Sequence, residues 1–183
     1  MIFPRLRRNR RSATISALYG MIVAQARMPC FYREYAVADT INGRFDLIVL
    51  HLSLLLDRLE QDPTLRDLGQ GIFDRFCQDM DHNLREMGVG DLAVPKEMRR
   101  MGEAFYGCTK AYRAALAAGD DKALAEALQR NIYGESADPA ASALRLAAYM
   151  REALRDLATQ DAARLAEGVL RFPDPMTHFR IVG

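Results

Sequence analysis

In the stretch "QDMDHNLREMGVG", Asp79, His82 and Glu86 stand three and four residues apart. On a helix that spacing puts two carboxylates and an imidazole on one face, the donor set of a divalent-metal site. The apolar residues of the same helix fall on its other side: Leu65, Leu68, Ile72, Phe76, Met80, Leu84 and Met87. A di-iron bundle needs Glu-x-x-His pairs aimed into a core, and the sequence has none. The face therefore reads as solvated, with local pairs such as Arg75 with Asp79 and Asp81 with Arg85, and no metal or cofactor is expected.

Other reactive residues are scattered. His51 lies among leucines, where it is either a buried switch or a core histidine held by a carbonyl or carboxylate; the second is the commoner role. Cys30, Cys77 and Cys108 are far apart, with no Cys-x-x-Cys pair, so a disulfide framework is not expected. No phosphate loop, nucleotide-binding glycine fingerprint or Gly-x-Ser-x-Gly elbow occurs. These residues give no constellation for an enzyme.

Residues suited to binding are better represented. Met80, Met87, Met98 and Met101 cluster about the joint "REMGVGDLAVPKEMRRM". Methionine is flexible and polarizable, and suits surfaces that take varied apolar partners; at helical spacing it equally fills a core. Arg99 and Tyr106 fall off the apolar seam of their segment. Gly102 and Gly107 lie inside a helical pattern, where glycine costs about 1 kcal/mol, which points to close approach by another backbone, in the fold or from a partner. At the start, "MIFPRLRRNRR" holds Arg5, Arg7, Arg8, Arg10 and Arg11 and no acid, while the whole chain nets +1. A basic arm on a mildly acidic body can hold anionic lipid or RNA phosphates, or simply be a solubilising end.

The elements that must position these residues are helical. The 183 residues, half apolar and 27% charged, suit one soluble globular domain. Ser12 or Thr14 can cap a first helix that Pro29 ends. Asn42-Gly43 breaks the chain, and a helix apolar nearly all round follows from Arg44 to Glu60. Its narrow polar stripe is Asp46, Ser53, Asp57 and Glu60, which marks it as the central helix. Its apolar run is short of the ~20 residues needed to span a bilayer. Asp62 and Pro63 can open the next helix, with Gly88 as its left-handed cap. From Pro95, the residues Met98, Met101, Phe105, Cys108, Tyr112 and Ala115 form a packing seam. A short helix closes at Gly134, Asp138 can cap another at Pro139, and a last one covers Asp161 to Glu167. The expectation is an all-α fold of about seven helices: a basic arm at 1–11, a helical domain at 12–171 and an irregular tail at 172–183.

"LYGMIVAQARMPCFYREYAVADTINGRFDLIVLHLSLLLDRL", with "FDRFCQDMDHNLREMGVGDLAVPKEMRRMGEAFYG", closely resembles the ubiquinol–cytochrome c chaperone family, assembly factors of the cytochrome bc complex. The resemblance is strong from Leu18 to Gly107 and weaker to Leu157. It implies an all-helical, non-enzymatic protein that holds newly made cytochrome b, with a small partner protein and the ribosome as further contacts of the mitochondrial members. The chain lacks their long targeting extension, as a bacterial cytoplasmic homologue peripheral to the inner face of the membrane would. An apolar groove would suit such a client, and Met87, Met98, Arg99, Met101, Gly102, Phe105 and Tyr106 are the expected contacts. The arm would keep the chain near the anionic inner leaflet. A rival reading, an all-α ligand-binding regulator whose arm touches nucleic acid, needs a helix-turn-helix; no partner helix is recognisable, so no specific DNA is expected.

Overall fold

The computed structural model describes residues 3–134 and 139–177, with side chains described from Asn9 onward. Helices α1 (Phe3–Ala26), α2 (Pro29–Arg33), α3 (Ile41–Glu60), α4 (Arg66–Glu86) and α5 (Val94–Ala118) come first. Then α6 (Asp121–Leu128) runs into a π turn at Gln129–Tyr133, and α7 (Pro139–Thr159) and α8 (Ala162–Ala166) complete the order. No strand occurs among the described residues. The all-α expectation is met, and the whole is one domain around one core.

Helix α3 is the centre, in contact with α1, α4, α5 and α7. Its apolar circumference demands this, and residues 47–55 are all buried. The helix begins earlier than Asn42-Gly43 suggested. The Thr40 hydroxyl accepts the Gly43 N–H at 3.1 Å, a capping bond that draws both residues into the first turn. A β-carbon at Gly43 would run into the Ala38 carbonyl, so the close turn before α3 requires glycine there.

Two other helix starts differ from expectation. Helix α1 is already formed at Phe3. Thr14 is buried in it, and its hydroxyl donates to the Ala166 carbonyl of α8 at 3.4 Å rather than capping. Asp62 accepts from the Thr64 N–H and hydroxyl at 2.9 and 2.6 Å, which makes a turn and delays α4 to Arg66. Asp138 lies outside the described residues.

The joint after α4 is tied from both sides. Gly88 (φ +82°) allows Val89 N–H to reach the Leu84 carbonyl at 3.0 Å, and Gly88 N–H the Arg85 carbonyl at 2.9 Å, the paired bonds of a Schellman end. The Arg85 guanidinium bonds Asp81 at 2.8 Å and also reaches Asp91 across the loop. Much of the charge in this joint holds the corner itself.

His51 anchors the middle of α3. It is fully buried, and Nδ1 donates to the Leu47 carbonyl at 2.7 Å, since a carbonyl can only accept. Nε2 then accepts from the Tyr149 hydroxyl at 2.8 Å, and that hydroxyl accepts from Gln25 at 3.0 Å. Phe31 and Phe172 stand edge-on to the imidazole at 5.4 and 5.1 Å. Burial pushes its pKa down to about 4, against the opposing Leu47 bond. His51 is thus a neutral, satisfied core residue. The irregular tail is docked beside it: Gln25 reaches the Pro173 carbonyl at 3.2 Å and the Tyr35 hydroxyl the Pro175 carbonyl at 2.6 Å.

Candidate functional site: a trough between α3, α4 and α5

A trough of about 1100 Å³ runs between α3, α4 and α5. One end is apolar, built by Leu56, Phe73, Phe105 and Tyr106. The other is charged, with Asp57, Glu60, Arg66, Lys110 and Arg113. Two helices dictate this division. The polar stripe of α3 turns Ser53, Asp57 and Glu60 into the trough while its remaining circumference is core. On α5, Tyr106, Lys110, Arg113 and Ala117 share a face by their spacing of three and four, beside the seam that buries Phe105, Tyr112 and Ala115.

The apolar end is a ladder of rings. Phe73 lies 5.1 Å from Phe105 and 6.1 Å from Tyr106, and Phe105 packs further inward against Phe76 at 5.8 Å, with the rings tilted. Phe105 is 4% exposed and Tyr106 63%. The ladder thus runs from the core to an open ring. The Tyr106 hydroxyl has no hydrogen-bond partner among the described residues, so its polar tip is free for water or a partner.

At the charged end Arg113 spans from α5 to α3, bonding Asp57 through Nε at 2.8 Å and Glu60 through Nη2 at 2.8 Å. Burial lifts the Asp57 carboxyl above its ordinary range, and the Arg113 bond opposes that. Beyond this bar lies an adjoining cavity of about 370 Å³, lined in part by the same Asp57, Glu60 and Arg113.

The expected contact residues are only partly brought together. Phe105 and Tyr106 line the trough. Met98 and Met101 are half-buried against the core, which is the packing role their spacing allowed. Arg99 is exposed, 3.8 Å from Glu103. Met87 is 51% exposed at the end of α4, near Leu92 in the adjoining loop, which is 100% exposed. A β-carbon at Gly102 or Gly107 would meet nothing within 4 Å, so no backbone of this fold explains those glycines. The sequence reading passed over Phe73, Lys110 and Arg113; the polar stripe of α3 was the one signal that pointed toward them.

Of the basic arm, Arg10 is exposed, and Arg11 donates to the Asp67 carbonyl at 2.8 Å, tying α1 to α4. The side chains of Arg5, Arg7 and Arg8 lie outside those described. Asp79, on the face read as solvated, accepts the Tyr19 hydroxyl at 2.9 Å, a bond between α4 and α1 in place of the expected Arg75 pair. No three metal-ligating groups converge among the described residues. Burial raises all three cysteine thiols, and protonated thiols are poor nucleophiles.

The geometry defines a class: an all-helical domain with an open trough, apolar at one end and charged at the other. Residues 33–172 match the family model Ubiquinol-cytochrome C chaperone, and the chain belongs to that family. The crystal structure of the Cbp3 homolog from Brucella abortus is similar at a TM-score of 0.86 and 39% identity, over 97% of this chain and 99% of that one. Ubiquinol-cytochrome-c reductase complex assembly factor 1 of Xenopus laevis is 27% identical over 87% of this chain and 81% of its own length. The Mus musculus protein of that name is 26% identical over 76% of this chain and 48% of its own, so the chain spans about half of that relative.

Proposed function

We propose that the chain is a chaperone for assembly of ubiquinol–cytochrome c reductase, and that it holds newly made cytochrome b in the α3–α4–α5 trough. The observation that carries the reading is the aromatic ladder that rises from the core at Phe105 to the open Tyr106. A transmembrane client is a set of apolar helices, and an amphipathic trough receives one helix face as helix-in-groove partners do. A helix with side chains is about 10–12 Å across and rises 1.5 Å per residue, so the trough takes on the order of two turns. It would grip part of a segment. Tyrosine and arginine are common anchors at such surfaces. Gly102 and Gly107 leave α5 bare on its open side, where a partner backbone can come close. Nothing in this role needs bond-making chemistry in the chaperone.

No described helix is long and apolar enough to cross a membrane. In this reading the chain works at the inner face of the membrane, where Arg5, Arg7, Arg8 and Arg10 meet anionic lipid, at about 1 kcal/mol per basic residue. Changing these four to glutamine should lower flotation with anionic vesicles at low salt; unchanged flotation would remove the tether from the account.

A photo-crosslinker placed at Tyr106 tests the grip. In native membranes it should capture cytochrome b, whereas the same probe at Leu144, an apolar residue 52% exposed on α7, should not. Equal capture from both positions, or capture from Leu144 alone, would move the grip elsewhere.

A further inference from the structure

The five charged side chains of the trough do not cancel. Asp57 and Glu60 are both engaged by Arg113. Lys110, one turn along α5 from Tyr106, has no ion-pair partner among the described residues. Arg66 has none either; its Nε reaches only the Glu60 carbonyl, at 3.5 Å. Three cations and two carboxylates thus line the charged end, with both carboxylates in ion pairs and two cations without one.

We infer that the occupant of the trough is an apolar helix carrying a carboxylate at the end of its apolar run, and that Lys110 and Arg66 receive that carboxylate. This rests on the trough being the client-binding surface and adds the chemistry it selects. The apolar run lies against Phe73, Phe105 and Tyr106. The acidic end reaches the two unpaired cations one to two turns further on, within the span the cavity allows. A basic end is disfavoured twice over. It meets Lys110 and Arg66 as like charges, and the acids it would want are held by Arg113. An exposed pair of this kind is modest in water. Its role is selection between helices of similar apolar content, where like-charge rejection adds to attraction.

The test uses the full chain and two labelled synthetic peptides. Each carries a helical leucine–alanine run of about ten residues, one ending in two glutamates and the other in two lysines at the same end. Dissociation constants are read by fluorescence anisotropy at low salt. The glutamate peptide should bind about threefold or more tighter, and Lys110→Glu should reverse the order, while Lys110→Met should bring the two peptides together. Tyr106→Ala should weaken both. If Tyr106→Ala weakens both peptides but the two bind equally to the unaltered chain, the charge inference fails and the trough stands. If neither peptide responds to Tyr106→Ala, the trough reading fails and takes the inference with it. A preference that disappears only at high salt agrees with the inference, since exposed charges are screened within about 8 Å at physiological ionic strength.

Discussion

Two aromatic groups sit on opposite sides of α3, and they are finished differently. In the nest around His51, the rings of Phe31, Tyr35 and Tyr149 are fully buried. Their polar tips are bonded inside the fold: Tyr149 to His51, Tyr35 to Pro175, and Tyr133 to the Tyr35 carbonyl at 2.8 Å. In the trough the rings continue outward instead, and the last hydroxyl and the nearest cation are left without partners. Aromatic content alone does not separate core from grip. What separates them is whether the polar groups beside the rings are satisfied internally, because burial without a partner costs about 1–3 kcal/mol per group.

The largest effect should come from emptying the nest. Phe31→Ala removes a ring packed against Tyr35, His51 and Tyr149, a change that costs about 3–5 kcal/mol. Phe73→Ala on the half-buried trough wall should cost less than half of that. Equal losses in thermal or urea unfolding would erase the distinction between the two regions.

Next comes pH. The nest refuses a proton that His51 takes in the unfolded chain, where imidazole titrates near 6.5. Its folded pKa is pushed down to about 4, so the stability it contributes is present above about 6.5 and is lost as pH falls toward 4, on the order of 3 kcal/mol. Asp46 works in the other direction. Burial pushes its carboxyl up to about 7, so its contribution is present below about 4 and is lost as pH rises through 7. The two slopes oppose each other in one window. Asp46→Asn should therefore make melting temperature climb more steeply with pH between about 4 and 6.5; an unchanged slope would mean that one of the two groups is not held as described.

Tyr149→Phe is gentler. It keeps the ring and leaves His51 Nε2 without its donor, while the Gln25 amide keeps its Pro173 bond; the cost is about 1–3 kcal/mol, which for a domain of this size is a few degrees of melting temperature. A variant as stable as the parent would show that the nest depends on ring packing alone.

The helical character of the chain was legible because its apolar residues recur at helical spacing. The central place of α3 followed from its narrow polar stripe. His51 was readable as a core residue, but its partner Tyr149 lies 98 residues away, and no local pattern announces that pairing. The trough divides the same way. Phe105 and Tyr106 were legible as a seam residue beside an off-seam one. Arg113 was not, since its carboxylates are 56 and 53 residues distant and on another helix. The methionines of the α4–α5 joint were ambiguous because one spacing serves both packing and binding; Met98 and Met101 pack, and Met87 is open. Helix starts moved where a side chain made a bond that the spacing does not announce: Thr40 caps α3 ahead of Asn42-Gly43, Asp62 makes a turn with Thr64 that delays α4, and Thr14 bonds Ala166 of α8 instead of capping α1.

The most direct test of the grip is Tyr106→Ala, the smallest change in stability and the largest in function. Its ring is 63% exposed, and surface substitutions usually shift stability by no more than about 0.5 kcal/mol. A melting curve and the yield of cytochrome b crosslinked in native membranes should be read on the same preparation, with the crosslinker placed at Lys110. The account predicts a parental melting temperature and a clear fall in capture; a parental melt with full capture would contradict it.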